Sequence, residues 1–189
     1  MTGVQTCALP ICFPVTIAAR YSKRTIPVSN TLLFTNDRGT SVPNPENIDH
    51  GYHDFFKSIG TVIMGMNTYR TIISFGVDWP YTGKQCYVFT STQGVEPDGN
   101  VTFVNDDATR YVEALKEQEG KDIWLLGGGL FNASMLRANL IDDIMVCVAP
   151  AIVGKGIKLF EGLDGEVPLS LVKSRVFDTG MVLLEYRAR

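Results

Sequence analysis

The stretch DIWLLGGGLFNASML, Asp122 to Leu136, holds a strand from Asp122 to Leu126, a run of three glycines, and a helix from about Leu130. Strand, tight glycine turn and helix make one crossover unit of an α/β fold. Residues without side chains let backbone N–H groups approach a diphosphate closely, and the helix N-terminus that follows adds positive potential. Gly127, Gly128 and Gly129 are therefore a candidate anion site. The same three glycines equally permit a sharp turn with close helix–strand packing and nothing more. The run is neither G-x-G-x-x-G nor a P-loop, so the two common nucleotide fingerprints are not met.

Upstream, a second junction of the same kind stands at Met64-Gly65-Met66-Asn67-Thr68. TVIMG (Thr61 to Gly65) reads as a short buried strand, and Asn67 or Thr68 can cap a helix through Tyr69, Ile72 and Ile73. By itself this is an ordinary helix start. Two such junctions on parallel strands would both open at the carboxyl edge of the sheet, where ligands of open α/β folds bind, one for each end of an extended dinucleotide. Before it, Ile48, Tyr52, Phe55, Phe56 and Ile59 fall on one apolar stripe of a helix of about three turns. Between the junctions, QCYVFT (Gln85 to Thr90) and VTFVN (Val101 to Asn105) read as strands. Asp106 and Asp107 then supply cap and negative charge for a helix carrying Ala108, Tyr111, Val112 and Leu115, which Gly120 ends.

Downstream, IDDIMVCVAPAIVG is a strand ending near Pro150, and LSLVKSRVFDTGMVLLEYRAR reads as two strands joined at Asp178-Thr179-Gly180. The sheet should finish with an antiparallel edge. Gly154-Lys155-Gly156 resembles part of a Walker motif, but no Ser or Thr follows, and a turn is the better reading.

The 189 residues suit one domain, and 45% hydrophobic with 20% charged residues is ordinary globular material. No apolar run reaches membrane-span length. A net charge of -3 without a Lys/Arg cluster argues against nucleic acid or an anionic membrane as the main partner, leaving a small molecule. Four cysteines without C-x-x-C and two histidines, His50 and His53, give no disulfide or zinc framework, so no metal is expected and a reducing cytoplasm fits. The opening MTGVQTCALPIC lacks the basic and apolar regions of a signal peptide. Residues 2–11 resemble a translated sequencing adapter. Residues 1–14 are accordingly expected to be a non-native, poorly packed extension, and residues 15–189 a single domain.

TVIMGMNTY, QCYVFTS, KDIWLLGGG, LIDDIMVCVAPAIVGKGIKLFEG and GMVLLEYR, in that order, resemble the dihydrofolate-reductase-like family from about Asn44 onward. The resemblance is strongest to the branch related to the C-terminal reductase domain of the bifunctional riboflavin-biosynthesis deaminase-reductase. It implies a three-layer α/β fold, a mostly parallel central sheet with an antiparallel C-terminal hairpin, and hydride transfer from NADPH to a small heterocyclic substrate. It also implies that Gly65, Asn67 and Thr68 sit at the adenosine end of the cofactor and that Thr90 and Ser91 flank its 2'-phosphate. Gly127, Gly128, Gly129, Leu130 and Phe131 would then cradle the pyrophosphate. Members of the branch are often dimers, which admits a homodimer here.

Three departures from the family stand out. Met66 replaces the arginine that many members direct at the 2'-phosphate, so a bidentate charged donor is lost and NADPH preference over NADH is opened; Arg70 or Ser91 are the candidates to compensate. Where folate reductases carry a carboxylic acid on the first helix stands Tyr52, itself readable as a core residue, with Asp49 one turn earlier as a substitute proton donor or a mere helix-dipole partner. The nicotinamide-lining first strand is best matched by SNTLLFTNDRG (Ser29 to Gly39), which lacks Asp-Gly, so the chain is expected to be a weak or inactive reductase. The competing reading is a nucleotide-binding module of the same fold without turnover; a true folate reductase is disfavoured by Tyr52.

Overall fold

The computed structural model describes residues 27–28, 49–150 and 158–188. They form β1 (Pro27–Val28), α1 (Tyr52–Ser58), β2 (Ile59–Gly65), α2 (Met66–Ser74), β3 (Gln85–Phe89) and β4 (Thr102–Val104). Then follow α3 (Ala108–Lys116), β5 (Asp122–Gly127), α4 (Gly129–Arg137), β6 (Asp143–Val148), β7 (Leu169–Val176) and β8 (Val182–Ala188). The expectations for residues 1–14, Ser29 to Gly39 and Gly154-Lys155-Gly156 lie outside the described residues.

One sheet carries the strands in the order β4-β3-β2-β5-β1-β6-β8-β7. From β4 to β6 neighbours run parallel, while β8 is antiparallel to β6 and β7 to β8, the expected antiparallel finish. Alternation along the central strands sends successive side chains to opposite faces, and each face has its own core. Val62, Met64, Cys86, Val88, Trp124 and Leu126 pack on one face, against Tyr52, Phe55 and Phe56 of α1 and Tyr69 and Ile72 of α2. Ile63, Phe89, Val104, Ile123, Leu125 and Ile144 pack on the other, against Val112 and Leu115 of α3 and Met135 and Leu136 of α4. The result is three layers, helix on sheet on helix.

Local details depart from the sequence reading in three places. α1 is shorter than its stripe, because Ile59, read as its last apolar position, begins β2 and is buried in the sheet core. α2 begins at Met66 on Gly65, and neither Asn67 nor Thr68 caps it by a side-chain hydrogen bond. The α3 cap is as read: Asp107 accepts from the N–H of Thr109 and of Arg110 at 2.9 and 3.2 Å. α3 itself stops at Lys116, before Gly120. The loop ring of Tyr81 is buried edge-on against Trp124, and Trp79 packs on Tyr81, so this segment covers the core beneath α1 and α2.

Candidate functional site

The chain leaves β2 through α2 for β3 on one side of the sheet, and leaves β5 through α4 for β6 on the other. β2 and β5 are adjacent and parallel, with Met64 aligned to Gly127. Their carboxyl ends therefore border the crevice at a topological switch point, the place where open α/β sheets bind ligands. The two glycine junctions lie on its two sides. A Cβ added to Gly65 would meet Phe131 Cβ at 3.8 Å and the Gly127 carbonyl oxygen at 3.9 Å, and one added to Gly128 would meet Thr68 Oγ1 at 3.5 Å. Thr68 of α2 thus faces Gly128 at the start of α4.

Both helices open on glycine, Gly65 for α2 and Gly128 for α4, and neither start has a side-chain cap. First-turn N–H groups that no side chain satisfies are donors waiting for an anion, and the helix dipole adds to them. The glycines are fixed by different constraints. Gly127 has φ +112°, a conformation that favours glycine. At Gly129 space decides: a Cβ there would lie 2.5 Å from the Lys158 carbonyl oxygen and 3.2 Å from Glu161 Cβ.

That contact belongs to a strap that sequence reasoning missed. Residues 158–163 cross α4, with the Glu161 N–H donating to the Gly129 carbonyl at 3.0 Å. Asn132 Nδ2 donates to the Leu159 carbonyl at 2.9 Å, and Arg137 donates to the Gly162 carbonyl. Asn132 is fully buried, and its Oδ1 has no hydrogen-bond partner. A lone amide among apolar positions of the helix was the available signal.

Beside Gly65 in the sheet ends β3, with Phe89 aligned to it. Thr90 and Ser91 follow at the same edge. The Thr90 N–H donates to the Val104 carbonyl at 3.0 Å, its Oγ1 accepts from the Thr92 N–H at 3.0 Å, and its carbonyl accepts from Asn105 Nδ2 at 2.7 Å. Asn105, also missed, ties the ends of β3 and β4 together. Thr90 is engaged by this turn, whereas Ser91 is exposed. Asn67 is exposed on the first turn of α2 and Leu130, 64% exposed, on that of α4, while Phe131 packs its ring 5.2 Å from Phe89.

α1 begins at the same edge. His50 Nε2 lies 2.9 Å from Thr179 Oγ1 in the β7–β8 turn, and that turn meets the end of β6, where Val148 pairs with Val182. Asp49 builds the start of the helix, its Oδ1 accepting from the Gly51 N–H at 2.8 Å and its Oδ2 from the His53 N–H at 3.1 Å. Those two bonds hold its carboxyl below the ordinary range, so near neutral pH it is ionised and has no proton to deliver. Tyr52 stands between Phe56 and Trp124, at 5.4 and 6.4 Å between ring centres, and burial pushes its hydroxyl up to about 12. It keeps its proton at neutral pH. Among the described residues no group of three His, Cys, Asp or Glu side chains could hold a metal.

Residues 34–183 match the family described as the RibD C-terminal domain. Over 140 residues, 74% of this chain and 80% of the relative, the sequence is 35% identical to the uncharacterized protein YwjB of Bacillus subtilis. A crystal structure from Shewanella sp. PV-4, of a protein assigned to riboflavin biosynthesis, superposes with a TM-score of 0.70 at 28% identity, covering 79% of this chain and 85% of that one. The diaminohydroxyphosphoribosylaminopyrimidine deaminase/5-amino-6-(5-phosphoribosylamino)uracil reductase of Thermotoga maritima shares the fold, with a TM-score of 0.61 at 16% identity over 86% of this chain and 55% of that one.

Proposed function

Because this chain belongs to the RibD C-terminal domain family, we propose that it is a reductase that transfers a hydride from NADPH to a small heterocyclic, pyrimidine-like substrate. The observation that carries the reading is the pair of uncapped, glycine-opened helix starts facing one another at the β2/β5 switch point. The neighbours of Gly65 and Gly128 stand at ordinary van der Waals distance from where a Cβ would lie, Phe131 Cβ at 3.8 Å and Thr68 Oγ1 at 3.5 Å, and the helix starts beside them are uncapped, which suits a dinucleotide's pyrophosphate.

Bound there, NADPH would supply the hydride; the chain's residues bind, orient and exclude water. Gly127, Gly128 and Gly129 would hold the pyrophosphate on the first-turn N–H groups of α4, with Leu130 and Phe131 flanking it. Gly65, Asn67 and Thr68 would hold the adenosine end. Ser91 would offer its exposed hydroxyl toward the 2'-phosphate, with Thr90 and Asn105 shaping the turn that presents it. With Met66 where an arginine would supply a fixed charge, discrimination for NADPH over NADH should be weak. Of the two candidate proton sources at the start of α1, Asp49 and Tyr52, Tyr52 alone retains a proton at neutral pH and is the better hydrogen-bond donor to substrate. Cys86 and Cys147, both buried free thiols, suit a reducing cytoplasm, where we place the reaction.

Equilibrium titration with NADPH and NADH, followed by NAD(P)H oxidation with pyrimidine and pterin substrates, tests the reading. Binding with substrate-dependent oxidation is the expected result. Absence of any nicotinamide-nucleotide binding would overturn it. Binding without turnover on any such substrate would favour the competing module reading, which the ionised Asp49 and the missing carboxylic acid at Tyr52 make specific.

A further inference from the structure

Asn132 is fully buried on α4, where its neighbours Ala133, Met135 and Leu136 are buried apolar residues. Its Nδ2 donates to the Leu159 carbonyl at 2.9 Å, and its Oδ1 has no hydrogen-bond partner. The amide cannot be turned over, because that would set oxygen against oxygen at Leu159. Half of a buried amide is thus left unpaired, a cost that an apolar side chain would not carry. An unpaired buried acceptor calls for a role beyond packing.

That role lies one helical turn back. Gly129 is on the same face of α4 as Asn132, under residues 158–163. There the Glu161 N–H donates to the Gly129 carbonyl at 3.0 Å, and the Lys158 carbonyl lies 2.5 Å from where a Gly129 Cβ would stand. The first turn has little else to hold it. Gly128 and Gly129 have no side chains to pack, Leu130 is 64% exposed, and Phe131 is the side chain that reaches the core. Glycines admit a phosphate but loosen the backbone whose N–H groups must meet it.

Residues 158–163 supply the missing rigidity from outside. Leu159, Phe160 and Leu163 pack on the core that α4 shares, while Asn132 and Arg137 hold the carbonyls of Leu159 and Gly162. We propose, on the reading of the α4 start as NADPH's pyrophosphate cradle, that Asn132 is a positioning residue for the cofactor. Its amide pins residues 158–163 across Gly129, and this clamp orders the first-turn N–H groups before the ligand arrives. Asn132, being fully buried, does not touch the ligand itself. Without its amide the Leu159 carbonyl turns toward water and the strap lifts. Part of the binding energy then goes into ordering the turn.

Asn132→Leu keeps the branched shape, deletes the unpaired oxygen and removes the tie. Its thermal denaturation midpoint should stay within about 4 °C of wild type, because the lost hydrogen bond and the relieved acceptor offset one another. NADPH affinity, from calorimetric titration of the full chain, should nevertheless fall about tenfold or more, and hydrogen exchange at the Glu161 amide should quicken. An asparagine that merely packs the core gives unchanged affinity, and that result overturns the proposal whatever the midpoint does. Where the larger leucine crowds the core and lowers the midpoint further or prevents folding, Arg137→Met decides. It cuts the strap's tie at Gly162 from an exposed position and should weaken NADPH about threefold; unaltered affinity there overturns the proposal. A wild-type chain that binds no NADPH overturns the reading of the α4 start and the role of Asn132 with it. Wild-type binding with unweakened variants overturns the role of Asn132 alone.

Discussion

The two edges of the sheet treat their polar groups in opposite ways. At the amino edge, lysines close the loose carbonyls: Lys84 Nζ donates to the Phe56 and Ile59 carbonyls at 2.7 and 2.8 Å, and Lys121 Nζ to that of Lys57 at 2.9 Å. Lys116 donates to the Leu140 carbonyl at 3.1 Å and to Asp142 at 2.6 Å. At the carboxyl edge, α2 and α4 start on glycine with no side chain closing their first turns. Satisfied carbonyls stabilise; unsatisfied N–H groups bind. One sheet thus closes carbonyls with lysines at one end and leaves the α2 and α4 starts open at the other, where the proposed cofactor would bind.

Gly129→Val should break that separation most severely, because the new side chain meets the Lys158 backbone and not a flexible tip. Stability should fall by about 1–3 kcal/mol, read by thermal denaturation. NADPH affinity should fall at least about tenfold as α4 moves off its strap. Lys116→Met attacks the other end. It leaves the half-buried Asp142 carboxylate, already raised by burial, without its cation, at a cost of about 2–3 kcal/mol at neutral pH. That cost should shrink as the pH is lowered, since a protonated Asp142 needs no partner. NADPH affinity should not change; if it did, the edges would be coupled.

Gly65→Asp sharpens the contrast by separating stability from binding. Gly65 is extended, at φ −83° and ψ 160°, with room for a Cβ, so an aspartate can cap α2 there. Denaturation midpoints should move by only a few tenths of a kcal/mol. Titration should show NADPH binding weakened about tenfold or more, because the carboxylate closes the α2 start where the adenosine end would lie and sets a negative charge beside the proposed pyrophosphate cradle of α4. Unchanged binding in this variant would remove α2 from the site.

Local chemistry was legible because it is local. Alternating apolar runs gave the central strands, and Asp178-Thr179-Gly180 gave the hairpin, where Gly180 has φ +81° and the Phe177 N–H donates to the Met181 carbonyl at 2.9 Å. Asp107 was legible as a cap. What the sequence hides is adjacency. That β2 and β5 are neighbours, and so that Thr68 faces Gly128, depends on strand order, which no local pattern encodes. The strap over α4 is invisible for the same reason, since Asn132 finds Leu159 27 positions away. Ile59 was misplaced because helical and strand periods both accept an apolar residue at a boundary.

α1 tests whether an open helix start, and not merely position at the carboxyl edge, defines the site. It begins at that edge, as α2 and α4 do, but Asp49 closes its first turn, accepting from the Gly51 and His53 N–H groups. Those bonds lower the Asp49 carboxyl from its ordinary 3.8. A depressed folded-state value adds stability above the unfolded one, and that stability is lost as pH falls through the folded value. Asp49→Ala should therefore cost about 0.5–1 kcal/mol at neutral pH. The gap from wild type should close progressively in acid, below the ordinary carboxylate value. Urea denaturation across a pH series reads both. NADPH affinity should be unaltered, since a start already closed by its own side chain has no donors to lend; weakened binding would instead bring α1 into the cofactor crevice.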